Sequence, residues 1–452
     1  MKFLKGYTRQ EKSWMMYDWA NSAHSVIVVT ILPIFYNTVA GYMADSASGM
    51  TTWGYATSAA MAIVALLAPV LGVFGDFKGM RKKLFVAFML VGVVSCVGLA
   101  FTPQMDFLAP GAAETVGLLV LGLYILSTIG FAGANLYYDS FLNDVTTEQR
   151  MDKVSTMGYG LGYIGGSTIP LLTFLLMNLV LGSDAMLFCL SFAFGLTAVW
   201  WLVFSIPLLK NVQQTSYVPR QKGAVAKALK GLAGTVKEIF RYKEMFVFLI
   251  AYFFYIDGVN TIIHMSTSYG DTLGLDSTSM LLALLLVQVL GLPFCLLYIK
   301  ASEKFGARFM VGVGICIYMG VTVFGFFLRE VWQFWVMAIL VATSQGGIQA
   351  LSRSMFGKLI PDKNRTGEFF GFYDIFGKFS AIMGPALVGL SSALAADAML
   401  KNAGLDRAAA TAEQLAQIDS AAAPWGILSV LLIFFVGGGL YFFVLPRYQK
   451  KP

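Results

Sequence analysis

Aspartates, histidines and asparagines recur inside stretches whose other residues are almost all apolar. Asp18, Asn21 and His24 fall in one such stretch and Asp257, Asn260 and His264 in another; these are the chain's only two histidines. Further apolar stretches hold Asn135, Tyr137, Tyr138 and Asp139, then Gln345, Gln349 and Arg353, then Asp374 with Lys378. A charged side chain at the centre of a bilayer costs about 2.5–3.5 kcal/mol on insertion scales. Such groups must pair, face water or change protonation state. Asp257 lies roughly 20 Å into its stretch at 1.5 Å per residue, with no basic residue within a turn of it. That makes it a candidate proton carrier, or else a partner to a group on another helix. Histidine titrates near neutrality and suits a proton relay or an anion site, although a lone intramembrane imidazole can equally bond a neighbouring helix. Asp374 and Lys378, four apart with the acid first, can form an ion pair on one helix face, as a fixed lock or as a pair released during a working cycle. Gln345 and Gln349, one turn apart, can hydrogen-bond a polar solute or join helices.

The elements that must position these groups are membrane helices. Apolar residues make up 57% of the 452 positions and charged residues 13%. Runs of about 20 apolar residues, enough to cross a hydrocarbon core of roughly 30 Å, are predicted at 14–41, 53–74, 83–102, 115–140, 154–180, 185–209, 244–268, 279–299, 308–328, 333–357, 368–395 and 424–446. No cleavable signal sequence stands apart from them. Lys and Arg gather in the N-terminus (Lys2, Lys5, Arg9, Lys12), in Lys78 to Lys83, in residues 210–243 and in the tail from Arg447 to Lys451. The alternate loops hold mainly Asp45, Asp106, Glu114, Asp184, Asp271 and Asp276, with Arg329, Lys401 and Arg407. The positive-inside rule then places both termini in the cytoplasm. The net charge of +7 reflects that orientation over an anionic leaflet, not a nucleic-acid partner. The four cysteines fall inside predicted spans and imply apolar packing rather than disulfides.

The basic segment 210–243 divides the spans into an N-terminal set, 1–209, and a C-terminal set, 244–452. Within it Val225, Leu229, Leu232, Val236 and Ile239 follow helical spacing, which fits an amphipathic helix on the inner membrane surface or a solvated basic linker. The halves echo each other. "GVFGDFKGMRKK" (Gly72 to Lys83) follows span 2 and "KASEKFGARF" (Lys300 to Phe309) follows span 8, while Arg150 and Asp152 are echoed by Arg365 and Glu368. Internal six-span repeats are a hallmark of transporters, with the solute between the halves. The pattern D-x-x-N occurs in both halves, at Asp18–Asn21 and Asp257–Asn260, but at unequal predicted depths, and so carries no weight here.

The loop carried by Gly72, Asp76, Gly79, Arg81 and Lys82 resembles the signature loop of the major facilitator superfamily, with Phe77 where the family commonly has a basic residue. With "YDWANSA" (Tyr17 to Ala23), "GYGLGYIGG" (Gly158 to Gly166), "GGIQALSRSMFGKLIP" (Gly346 to Pro361) and "FFGFYDIFGK" (Phe369 to Lys378), the chain resembles the vacuole-effluxer-like branch, related to autophagy-associated amino-acid effluxers. The resemblance implies an all-α fold of twelve spans in two pseudo-symmetric six-helix bundles, with spans 1, 4, 7 and 10 lining a cavity and spans 3, 6, 9 and 12 facing lipid. The polar residues fall in that same division. It also implies a gate in which Asp76 and Arg81 latch helix ends, with Asp139 and Arg353 as candidate partners and Asp18 nearby. Tyr17 and Trp19 suit an interfacial anchor. The glycines of span 5 permit close helix approach.

The expectation is a proton-coupled secondary transporter of small polar solutes, with amino acids implied by the resemblance alone. It works by alternating access, as a monomer in the bilayer, without cofactor or metal. The solute and proton path would use His24, Asn21, Asn135, Tyr138, Asp257, Asn260, His264, Gln345, Gln349, Asp374 and Lys378. A carrier of lipid-derived or amphiphilic solutes is the alternative. A polytopic enzyme is disfavoured, because no catalytic triad, nucleotide loop or metal-spaced His/Cys cluster is present. A non-transporting receptor is disfavoured by the intramembrane charges in both halves.

Overall fold

The computed structural model describes residues 4–43, 49–109, 111–219, 224–405 and 410–448. Among the described residues, twelve helices long and apolar enough to cross a membrane occupy the places expected. They are spans 1 (Arg9–Ala40), 2 (Tyr55–Asp76), 3 (Met80–Gln104), 4 (Ala112–Val145), 5 (Glu148–Leu181) and 6 (Met186–Asn211), then 7 (Lys243–Thr272), 8 (Thr278–Phe305), 9 (Ala307–Phe326), 10 (Val331–Leu359), 11 (Lys363–Asn402) and 12 (Glu413–Arg447). No strand occurs among the described residues; a single β-bridge joins Phe77 to Val218. The loop charges Asp45 and Arg407 and the tail lysines lie outside the described residues.

Helix ends extend past the apolar runs because polar caps carry them further. Span 1 starts at Arg9 rather than at 14, where Thr8 and Glu11 form a reciprocal capping box that satisfies two end amides. Thr411 and Gln414 do the same for span 12, well before residue 424. The turns between spans 2 and 3 and between spans 8 and 9 use Gly79 (φ +70°) and Gly306 (φ +87°), left-handed positions that favour glycine.

The chain divides into two compact units, residues 1–235 with 360–375, and residues 236–359 with 376–452. The start of span 11 thus packs with the N-terminal spans. In the first unit span 5 lies hard against span 1. A methyl group on Gly165 would enter the Trp19 ring, and methyls on Gly162 and Gly166 would strike Ser22. Residues Gly162–Thr168 form a π-helical segment at this contact. Tyr17 is fully buried, set edge-on to Phe85, and accepts a hydrogen bond from Trp201 Nε1 at 3.3 Å. It is a core residue rather than an interfacial anchor.

The linker carries a helix, Ala224–Arg241. Of its predicted apolar face Ile239 is buried, Leu232 half-buried and Val236 exposed, while the side chains of Val225 and Leu229 lie outside the described residues.

Candidate functional site

The span 2–3 turn builds a buried charge network in the first unit. Arg81 is completely buried. Its Nη2 donates to Asp76 Oδ1 (2.8 Å) and Thr366 Oγ1 (2.7 Å), and its Nη1 to Asp144 Oδ2 (2.5 Å) and the Ser140 carbonyl (3.2 Å). Asp76 in turn accepts the amides of Gly367 (2.7 Å) and Glu368 (2.8 Å), in the first turn of span 11, where free amides favour an anion. The planar guanidinium reaches four acceptors at once, which a lysine ammonium does not reproduce. Gly72 faces Gly367 backbone to backbone. Residues Gln214–Val218 of the linker brace the turn. Val218 N donates to the Asp76 carbonyl (2.8 Å), Lys78 N to the Val218 carbonyl (3.3 Å), and Gly79 N to Gln214 Oε1 (3.0 Å). Asp144 also accepts from Thr215 and Ser216. The second carboxylate on Arg81 is therefore Asp144; Asp139, half-buried, belongs to the preceding turn, and Arg353 is buried on span 10. The side chain of Lys78 lies over the Tyr217 ring. Glu368 and Thr235 share a hydrogen bond, and Arg365 Nε donates to Glu368 Oε2 at 2.9 Å.

Spans 1 and 4 bring several predicted residues together. Tyr138 OH donates to Asp18 Oδ2 (2.7 Å), Asn21 Nδ2 to Asn135 Oδ1 (2.7 Å), and Trp14 Nε1 to the Tyr138 carbonyl (2.8 Å). Asp18 and Asn21 are both buried. His24 goes elsewhere: its ring is 2% exposed, stacked on Phe131 with centroids 4.8 Å apart and tilted against Trp201 at 5.2 Å. Neither imidazole nitrogen has a hydrogen-bond partner among the described residues.

In the second unit Asp257 is wholly buried. Its Oδ1 accepts the amide of Gly384 on span 11 at 2.9 Å, while Oδ2 has no hydrogen-bond partner among the described residues. Thr261, one turn further along span 7, is also wholly buried, and its Oγ1 is likewise unpartnered. A methyl group on Gly384 would fall on Thr261 Oγ1 and within 2.9 Å of Asp257 Oδ1, so both oxygens converge on that glycine. Asn260 is half-buried and His264 exposed. Gln345 is half-buried and lines a cavity of about 60 Å³ with Ser266, Gln288 and Phe334; Gln349, also half-buried, lies one turn on. Asp374 is grouped with the first unit, where it is the polar member of a small notch lined by Leu67, Ala68 and Leu136; Lys378, half-buried, is grouped with the second.

The repeated D-x-x-N pattern acquires a structural meaning through its next residue. Asp18 and Ser22 face Gly158 and Gly162 of span 5, and Asp257 and Thr261 face Gly384 of span 11. The shared unit is an aspartate, an alcohol four residues on, and a glycine on the helix behind. The halves differ in how the oxygens are satisfied. Ser22 Oγ donates to the Asp18 carbonyl (2.7 Å) and Tyr138 caps the Asp18 carboxylate, whereas Asp257 Oδ2 and Thr261 Oγ1 have no hydrogen-bond partner among the described residues. By helix length His24 and Asp257 sit at similar depth, roughly 22 and 21 Å from the first residues of their helices.

Sequence reasoning missed Asp144, Thr366, Thr261, Gly384 and Gln288. It also missed Glu11, which is buried and held by Arg150 Nε and Nη2 (2.7 Å each) and by Thr146 (2.7 Å). A capping pattern marked Glu11; the others have partners far away in the chain and carry no local signal. No group of three or more His, Cys, Asp or Glu side chains among the described residues is placed to hold a metal ion.

A family model described as vacuole effluxer Atg22 like matches residues 48–149 and 143–394. An uncharacterized MFS-type transporter of Bacillus subtilis (strain 168), YxiO, is 47% identical over 397 residues, covering 86% of this chain and 90% of the relative. Autophagy-related protein 22-2 of Aspergillus niger is 24% identical over 446 residues, covering 86% and 72%. Among solved structures the proton:xylose symporter XylE matches with a TM-score of 0.63 at 13% identity, over 95% of this chain and 94% of that one. The human organic anion transporter MFSD10 matches with a TM-score of 0.63 at 11% identity, over 96% and 99%. These structural likenesses show the fold, that of the major facilitator superfamily.

Proposed function

Since the chain belongs to the vacuole effluxer Atg22-like family, and is an integral multi-pass transporter of the major facilitator type rather than an enzyme, we propose that it moves small polar solutes, amino acids among them, by alternating access coupled to protons at Asp257. The observation that carries this reading is a wholly buried carboxyl in mid-helix whose Oδ2 has no hydrogen-bond partner among the described residues. A carboxylate enclosed in this way is electrically balanced by one bound cation, a proton in the simplest case. Export is the direction suggested by the family's description. Both termini are assigned to the cytoplasm on the distribution of Lys and Arg.

Asn260, His264, Gln345 and Gln349 supply neutral polar contacts in the second unit. They suit a solute with amide, ammonium or carboxylate groups better than a purely apolar one. The Asp76–Arg81–Asp144 network serves as the releasable latch, with Thr366, Gly367 and Glu368 as its counterpart on span 11. The test is transport in proteoliposomes. A pH gradient should drive accumulation or release of an amino acid in the wild type. Asp257→Asn should abolish gradient-driven movement while leaving solute exchange detectable. No gradient-driven movement of any small polar solute in a broad screen would refute the reading.

A further inference from the structure

We propose that Asp257 and Thr261 form a binding site for a small monovalent cation, Na⁺ or Li⁺, completed by the backbone carbonyl that Pro385 leaves without its helical donor one turn before Gly384 in span 11. The inference rests on the reading of Asp257 as the ion-coupling group and adds the chemistry of the ion.

Three observations converge. Asp257 Oδ2 and Thr261 Oγ1 are both wholly buried and without a hydrogen-bond partner among the described residues. Two unsatisfied oxygens on side chains one turn apart on the same helix are costly, each forfeiting about 1–3 kcal/mol unless a ligand fills them. Secondly, many helical alcohols in the chain bond back to the preceding turn: Ser22 to the Asp18 carbonyl, Thr30 to Val26, Thr197 to Ala193 and Thr322 to Tyr318. The Thr261 hydroxyl does not, and lies against Gly384 instead. Buried Thr128 and Thr156 do not bond back either, but among the described residues neither has a second unsatisfied carboxylate oxygen one turn away on its helix. Thirdly, Pro385 lies within span 11 and has no amide to offer the carbonyl of Ala381. That leaves a backbone acceptor one turn before Gly384, whose own amide is engaged by Asp257 Oδ1.

A carboxylate oxygen, an alcohol oxygen and a helix-break carbonyl are hard oxygen donors suited to a hard cation, and helix-break carbonyls hold Na⁺ in other transporter folds. The single negative charge balances one monovalent ion, whereas a divalent ion would leave net charge buried. A proton needs only one of the two side-chain oxygens; a metal cation uses both. The other half of the chain is an internal control. There Tyr138 caps Asp18 and Ser22 bonds its own helix, so the equivalent oxygens are occupied by protein.

The experiment is thermal unfolding of the purified full-length protein in NaCl, LiCl, KCl or choline chloride at one pH and one ionic strength, with binding of radioactive Na⁺ as a second readout. A bound ion raises the unfolding temperature progressively with its concentration. Na⁺ and Li⁺ should raise it while K⁺ and choline do not. The shift and the bound radioactivity should vanish in Asp257→Asn and in the near-isosteric Thr261→Val, and persist in Thr261→Ser. Equal curves in Na⁺ and K⁺ for the wild type, without specific Na⁺ binding, would overturn the cation site. If Asp257→Asn still abolished pH-driven transport, the coupling reading would survive with a proton alone. Na⁺ stabilisation that persists in Thr261→Val would place the ion elsewhere and also overturn the proposal. Should Asp257→Asn fail to fold, the two Thr261 variants decide. Normal pH-driven transport in Asp257→Asn would instead contradict the coupling reading, whatever the sodium result.

Discussion

Gly72 and Gly367 meet backbone to backbone: a methyl group on Gly72 would run into the Gly367 carbonyl, and one on Gly367 would come within 2.6 Å of the Gly72 carbonyl oxygen. This approach lets Asp76 reach the first amides of span 11. Gly72→Ala is expected to push span 2 away from span 11, at a cost of about 1–3 kcal/mol for overpacking. The measurement is thermal stability together with protease access to the span 2–3 turn, and both should report a loosened contact. An unchanged melting temperature with unchanged protection would refute the contact.

Arg81 is expected to be intolerant even of lysine. It satisfies Asp76, Asp144, Thr366 and the Ser140 carbonyl from one planar group. Arg81→Ala leaves two carboxylates around an unfilled site, and breaking a buried pair in this way costs about 3–5 kcal/mol. Arg81→Lys should recover part of the stability but less than half of the transport rate, because one ammonium does not reproduce the fork. Initial rates in proteoliposomes at matched protein content check this.

His24 is expected to be dispensable for coupling. Its ring is enclosed by Phe131 and Trp201 and has no hydrogen-bond partner among the described residues. Replacing an unsatisfied buried polar group by an apolar one of similar shape is nearly neutral. His24→Phe should therefore keep stability within about 1 kcal/mol and retain pH-driven transport. Loss of coupling in a folded His24→Phe protein would restore His24 to the proton path.

Much of this was legible in the sequence because it is local. Apolar runs announced twelve helices, and Gly72, Asp76, Gly79 and Arg81 marked the buried charge network of the span 2–3 turn within a few residues of each other. What hid was the partner side of each contact. Asp144, Thr366 and Gly367 reach the Asp76–Arg81 network from connections far along the chain, and nothing at their own positions says so. The D-x-x-N repeat that the sequence displays has a spacing of three, Asp18–Asn21 and Asp257–Asn260. The face that packs on span 5 or span 11 follows the spacing of four, which brings in Ser22 and Thr261. His24 was read by type and depth, but its direction depends on Trp201, a residue of a different span.

Gly384 should be less tolerant than its neighbour Gly389 on the same helix. A side chain at Gly384 collides with Thr261 and crowds Asp257, whereas Gly389 has open space around it. Gly384→Ala is expected to lose ion coupling and about 1–3 kcal/mol of stability; Gly389→Ala should match the wild type or gain slightly. Paired melting curves and gradient-driven uptake distinguish them.

The most direct test of the account is gradient-driven transport by Asp257→Asn in proteoliposomes, with solute exchange measured on the same preparation. The account predicts that uptake driven by the ion gradient disappears while exchange of solute across the membrane persists, because the variant still binds and reorients but no longer carries the ion. Gradient-driven uptake at the wild-type rate in Asp257→Asn would contradict it.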